Sequence, residues 1–495
     1  MLLPVAAAAA IWAYGDDAHA DGPLGADGDP IETSQYTIDV HQGPVLAGSR
    51  VLGLAGAYAA IAEGVAGYSY NPASVAVRVP WSVDWFDWDV DGGFTLPASV
   101  TDFDFDNNGD QSYANSAAFF INGGFGLHFG DFAIGLHVDW QAYQVDSQVA
   151  DERIFVNVVR PMIVTGYSFL DGELVAGLGF SFPNVAFSQE GTGEERKIAG
   201  VQGTSLHVGA LWAPAYAPIR IGASTRLSPP ASWTPDSFPE CNPPECVEQD
   251  GDFISAGYYL PRTISLPTEV RAGIAVQLFR PFNVPFVNPH DQTLHYERVK
   301  AEIAREQEAR RQEHWERLGQ ARAKGLYGDA IEQLEEQHEQ QEEQAEEAES
   351  ERLAAAAEQD RQLRLMGYRG LDREKLLISA GMKLTTITTD GVGLESFLSQ
   401  TVERSGELVT VQPELGVEGE VIPGYLVLRT GGYLEPSRFA AGSSRLHGTG
   451  GMDVRIPIEW SVFGLLDDDT TFRVSGAVDG SIRYFGWGVG AGLWH

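Results

Sequence analysis

The feature that most constrains this chain is strict alternation of apolar and polar side chains over unusually long runs. Phe132, Ile134, Leu136, Val138, Trp140 and Ala142 alternate with Ala133, Gly135, His137, Asp139, Gln141 and Tyr143. Val270, Ala272, Ile274, Val276 and Leu278 alternate with Arg271, Gly273, Ala275 and Gln277, and Met452 to Val462 repeats the pattern. A period of two marks strands with one apolar face. A soluble sandwich also alternates, with that face turned inward. Runs of about ten residues with aromatics near their ends suit instead a tilted membrane strand of about 9–11 residues.

Alternation of this kind predicts fourteen strands, near 81–91, 117–129, 132–144, 152–168, 173–188, 203–213, 219–227, 265–279, 374–386, 408–420, 425–435, 449–462, 470–479 and 482–495. The count is even, which returns both ends of a barrel to one side. If the first strand rises from the periplasm, the turns at Gly130-Asp131, 170–173, 213–218, 422–424 and 465–470 are short and periplasmic. The connections 92–116, 189–202, 228–264 and 387–407 are then outer loops, with a shorter one at 145–151. Outside an N-terminal candidate, no run of eighteen apolar residues exists, so helical spans are not expected.

Ahead of the strands lies a small-residue segment. Arg50, Gly53, Gly56, Ala57 and Tyr58 are followed by an Ala-Ile-Ala and then by Asn71, Pro72 and Ala73. Read from residues alone, this is a small-residue helix and a turn, since Asn-Pro commonly opens turns. So many glycines would weaken an exposed helix, each by about 1 kcal/mol, and instead suit a segment packed inside another structure.

Taken in order, these spaced elements resemble the N-terminal hatch of FadL-type outer-membrane transporters of long-chain fatty acids and other hydrophobic compounds. The resemblance implies a fourteen-stranded antiparallel transmembrane β-barrel plugged by a hatch at 44–80. It implies passage of hydrophobic small molecules, with the substrate bound in the lumen and leaving through hatch movement and a lateral opening. It also implies an outer membrane of a Gram-negative bacterium, with its lipid and lipopolysaccharide around the barrel.

Met1 to Ala20 has an Ala-rich apolar run and an Ala-His-Ala ending like a signal-peptidase site, although no Lys or Arg precedes Arg50. The organisation expected is a signal peptide at 1–20, a flexible Gly/Asp-rich extension at 21–43, the hatch, strands at 81–279, an insertion at 280–373 and strands at 374–495. The insertion is rich in Glu, Gln, Arg and Ala and reads as two helices, 293–324 and 328–366, broken near Gly325-Leu-Tyr-Gly328. Its apolar positions are too sparse for a heptad, so a solvated helix hairpin is one reading. The other is a docking arm, over 291–366, for a periplasmic protein or peptidoglycan.

A formal charge of −36 argues against a nucleic-acid partner. Among the charges, Asp139, Arg220, Arg226, Arg271, Asp453, Arg455, Glu459, Arg473 and Asp479 fall at lumen-facing positions, where they can pair with one another and with a plug. His137 and His207 share those faces as polar lining. No phosphate loop, nucleophile elbow, dinucleotide fingerprint or zinc-protease motif occurs, so neither an enzyme nor a cofactor is expected. Cys241 and Cys246 are the only cysteines and, in an exported chain, most often close a loop disulfide. Asp104, Asp106, Asn108 and Asp110 match the start of a calcium loop, but position twelve is Asn115 rather than Glu, so an acidic solvated loop competes with a structural calcium site.

Overall fold

The computed structural model describes residues 24–494 apart from 42, 81, 98–103, 105, 110–117, 147–152, 191–194, 229–245, 250, 256, 290–293, 373, 441 and 458–469. Fourteen antiparallel strands close on themselves. They are β1 Phe86–Leu96, β2 Phe119–Phe129, β3 Phe132–Asp146, β4 Arg153–Phe169, β5 Leu174–Ser181, β6 Ser205–Trp212, β7 Ile219–Arg226, β8 Glu269–Phe279, β9 Lys375–Thr385, β10 Thr410–Ile422, β11 Leu426–Glu435, β12 Arg445–Pro457, β13 Thr471–Ser481 and β14 Tyr484–Trp494. Each strand pairs with its neighbours in sequence, and β14 returns to β1, Gly92 facing Ala491 and Phe94 facing Val489. Closure leaves no open edge around the ring, so every ladder can cross lipid with its backbone paired.

Burial shows which way the alternation points. On β3, Ile134, Leu136, Val138 and Trp140 are exposed while Ala133, His137, Asp139 and Gln141 are buried. The same inversion holds for Met452, Val454 and Ile456 against Asp453 and Arg455 on β12. A soluble sandwich would hide the apolar set; here it faces outward and the polar set fills the interior. That is the arrangement of a barrel solvated by hydrocarbon outside, and it makes the chain an outer-membrane barrel. Trp85, Phe86 and Phe129 cluster at the short-turn end, and Phe94, Phe119 and Trp140 at the other.

Two of the strands differ from expectation. The run 173–188 breaks at Phe182-Pro183, where a proline cannot donate to the ladder. The chain resumes as Asn184–Glu190, pairs with β4, and returns as Glu195–Gln202 within what alternation marks as a loop. The twelfth strand begins at Arg445, four residues before the expected 449, and is described as far as Pro457, with 458–462 outside the described residues.

Of the extension expected to be flexible at 21–43, the described residues 24–41 are instead ordered against the barrel mouth. Thr37–Asp39 runs parallel between Thr263–Ser265 and Gly391–Val392, both from loops on the long-loop side. Leu24, Ile31, Tyr36, Ile38 and Val40 join a buried cluster with Val156, Phe187, Tyr258, Leu260, Phe397 and Val402. The apolar residues spaced through 24–40 find partners only when three distant loops gather over the barrel mouth, so local composition could not reveal them. A short helix, α1 Ser49–Gly53, opens the plug, and α4 Leu394–Ser399 lies in the outer cap. Between β8 and β9, α2 Leu294–Ala323 and α3 Asp329–Arg369 form the helical hairpin, with Gly325 and Gly328 at φ +80° and +60° making the reversal. It leaves the barrel on the short-turn side, where Phe279 pairs with Lys375.

Candidate functional site

Residues 44–77 run through the lumen almost entirely buried. An irregular segment in such a place must find partners for its backbone. Wall side chains provide them. Ser379 donates to the Ala57 carbonyl (2.7 Å), Thr449 to Gly53 (3.1 Å) and Ser224 to Tyr70 (2.5 Å), while Asp89 accepts from the Val65 amide (3.0 Å).

The Asn-Pro-Ala triplet has a specific task in this arrangement. Asn71 caps the short 3₁₀ turn Pro72–Ala76 by accepting from the Ala73 amide (3.1 Å), with Pro72 as its first residue. Its amide nitrogen donates to Ala59 within the plug (2.8 Å) and to Ala210 on β6 (3.1 Å). The turn can lie this close because the wall beneath it is bare. A Cβ at Gly177 would collide with Pro72 and Ala73, one at Gly209 with Asn71, and one at Gly222 with Ala59. Gly53 packs likewise near Gly451, and Gly56 adopts φ +81° against Glu414.

Arg50 is the electrostatic anchor. Its Nε and Nη2 reach Glu418 on β10 at 3.0 and 3.1 Å, and its Nη1 reaches Glu63 (2.9 Å) and the Tyr58 hydroxyl (3.0 Å). Glu63 also accepts from Arg220 on β7 (2.9 Å), which donates to the Ile61 carbonyl as well. Glu418 takes further bonds from Lys375 (2.6 Å) and Arg429 (2.5 Å), and Arg429 continues to Asp453. Arg473 joins Asp91 and, at 3.8 Å, Asp453. Buried ions of this kind are tolerable only because each is paired.

The remaining lumen charges sit beside the plug. Asp139 accepts from Ser69 (2.9 Å) and contacts His137 (3.0 Å), and His207 meets Ser181 (3.2 Å). Arg226 and Arg271 both hold Glu269, Arg455 holds Glu420, and Asp479 accepts from Tyr433 (2.7 Å). Glu459 lies outside the described residues. Motif reading passed over Glu418, Lys375, Lys383, Glu414 and Glu269. A signal for them existed: Gln412, Glu414, Glu418 and Glu420 occupy alternate positions of one strand, as do Asp87, Asp89 and Asp91.

Among the described residues, chambers lie on the outer and periplasmic sides of the plug. The outer one, about 50 Å³, is lined by Arg160, Arg226, Arg271 and Lys383 against Asp139 and Glu269, with Tyr70 and Leu266 beside them. Lys383 is buried yet within 4 Å of no carboxylate among the described residues. The periplasmic one, about 60 Å³, carries Val77, Val79, Pro80, Trp88 and Phe282 together with Arg50, Glu63, Arg280 and Lys375. Neither volume admits more than a head group or a few waters.

The acidic loop read as a calcium-site candidate is described only in part. Asp104 and Asp106 turn a carboxylate oxygen to the amides of Gly109 (3.2 Å) and Asn108 (3.3 Å), the Asn108 side chain donates to Glu403 (3.2 Å), and Asp110 lies outside the described residues. Among the described residues no group of three His, Cys, Asp or Glu is placed to hold a metal. Cys241 is outside them too, and with it the expected disulfide with Cys246.

Fold and site together define a plugged fourteen-stranded transmembrane β-barrel. No protein-family model matches the sequence, and neither does any curated protein. Solved structures similar to it include a Pseudomonas aeruginosa FadL homologue, at 8% identity over 93% of this chain and 99% of that one, with a TM-score of 0.46. The CymD monoaromatic hydrocarbon channel gives 8%, 90%, 96% and 0.45, and a TodX monoaromatic hydrocarbon channel mutant gives 10%, 92%, 99% and 0.43. The assignment of the fold stands on the strand pairing itself.

Proposed function

We propose that this barrel is a passive channel for hydrophobic small molecules, long-chain fatty acids or similar hydrocarbons, whose passage requires the plug to move. The observation that carries the reading is the lumen itself: a continuous barrel filled by the chain's own N-terminal segment, with a chamber on either side too small for a hydrocarbon chain. A permanently open pore would need no such plug. The excess of cations over acids in the outer chamber, with Lys383 and Arg160 making no ion pair within 4 Å among the described residues, favours a solute with an anionic head group over a plain alkane. Shielding an apolar tail from water supplies the driving force for binding.

The test is equilibrium binding of a long-chain fatty acid, an alkane and a monoaromatic to the purified barrel and to Asn71→Ala. Saturable micromolar binding, weakened by the substitution, supports the channel. Absence of binding to a folded barrel rejects it. A second reading, a scaffold for envelope assembly, is favoured by the length of α2 and α3, 30 and 41 residues, which a diffusion channel does not need. Co-purification of a periplasmic protein that is lost on deleting 291–366 would support that reading.

A further inference from the structure

We propose that the periplasmic helical hairpin is a lever coupled to the plug, so that displacing the hairpin from its seat loosens the plug inside the barrel. The helices are built to stand away from the barrel. At 1.5 Å per residue α3 extends for about 60 Å, and its distal part, 329–351, carries eleven Asp or Glu and no Lys or Arg, which keeps it in water.

Three contacts join its base to the plug. Arg361 Nε donates to both carboxylate oxygens of Asp84 at 3.0 and 3.2 Å, tying α3 to the link between plug and β1. Arg78, on the plug side of that link, donates to the Asp84 carbonyl (2.7 Å) and lies over the Phe286 ring (3.9 Å), in the segment that leads into α2. Arg220 completes the connection from the opposite wall. It donates to the Phe282 carbonyl (3.0 Å) and the Asn283 side chain (2.7 Å) of that lead-in, and to Ile61 and Glu63 of the plug. Both ends of the hairpin insertion are therefore bonded to the same segment, residues 61–84. A solvated ornament would need no such double attachment, and a load on the long arm is delivered where the plug leaves the lumen.

Hydrogen exchange on the full-length protein in lipid nanodiscs tests the coupling. Arg361→Gln is expected to raise exchange across plug residues 50–77 about five-fold, the scale of one modest ion pair. Asp84→Asn should do the same from the other partner, and Arg361→Lys should return exchange toward native values, with β1–β14 unchanged throughout. A rise confined to 78–86, no rise, or an equal rise with Gln and Lys would each overturn the proposal, because any of them makes the contact a local one. The measurement needs no ligand, so failure of the channel reading leaves it standing.

Discussion

Arg50 and Glu418 face each other across the plug boundary through two hydrogen bonds of 3.0 and 3.1 Å, one guanidinium fork on one carboxylate. Glu418 sits at the centre of three cations, so removing Arg50 leaves it paired with Lys375 and Arg429, whereas removing its charge takes the shared acceptor from all three, leaving Arg50 to Glu63, Arg429 to Asp453 and Lys375 with no other carboxylate within 4 Å among the described residues. Breaking a buried pair on one side costs roughly 3–5 kcal/mol. Glu418→Gln is therefore expected to loosen the plug more than Arg50→Ala. Planar-bilayer recordings should show openings that are frequent in the first, rarer in the second and rarest in the native protein.

The bare wall behind the plug yields a steric prediction. Gly222→Ala and Gly209→Ala place a methyl where Ala59 and Asn71 already lie, and overpacking of this sort costs roughly 1–3 kcal/mol. Gly448, on the outward, lipid-facing side of β12, has open space where its Cβ would lie. Limited proteolysis within 44–80 should accelerate for the first two variants and stay native for Gly448→Ala, although all three replace a strand glycine.

Much of this was legible in the chain because membrane strands are governed by a rule of period two. The observed β3 begins at Phe132 and β7 at Ile219, as alternation places them, and the helices begin and end within three residues of expectation. Arg50 and Asn71 were visible as parts of a pattern, but their partners were not. Glu418 and Ala210 lie 368 and 139 residues away, and only barrel closure sets that distance to a hydrogen bond. The outer cap failed for the same reason. Ile38 and Val40 look like isolated apolar residues in a polar leader until strands from 263–265 and 391–392 flank them. Lys383 reads as lining because it is one lysine on an alternating strand, and the absence of a carboxylate within 4 Å of it among the described residues is a property of the assembled chamber.

Acid should weaken the helical hairpin. His314 and His338 stack at 3.8 Å, and partial burial, followed by the neighbouring His338, lowers the pKa of His314 from its ordinary value. Burial alone would raise the Glu349 carboxyl, but hydrogen bonds from Arg310 and Gln307 more than offset it and leave its pKa lowered. For both groups the unfolded hairpin takes up protons at a higher pH than the folded one. Stability is thus full above the unfolded histidine value near 6.5 and falls as pH drops through it, with a second loss near and below the carboxylate range. Helical circular dichroism melts at pH 7.5 and 5.5 should show a lower midpoint at 5.5, and His314→Gln should shrink the difference.

Lys383 offers the sharpest test of what the outer chamber selects. The lysine is buried, its neighbours Arg226 and Arg271 are both committed to Glu269, and a carboxylate entering the chamber would find Lys383 and Arg160 the two lining cations without an ion pair within 4 Å among the described residues. A hydrogen bond to a charged group contributes roughly 1.5–3 kcal/mol, about tenfold or more in affinity. Lys383→Met should therefore weaken binding of a long-chain fatty acid by at least about tenfold while leaving its methyl ester almost unchanged, since the ester cannot use the charge. Equal losses for acid and ester would mean that the substitution disturbed the plug rather than a head-group contact. No loss for either would move the anionic site away from Lys383, to Arg160 in the same chamber or to the periplasmic chamber, where Arg280 and Lys375 lie beside Phe282.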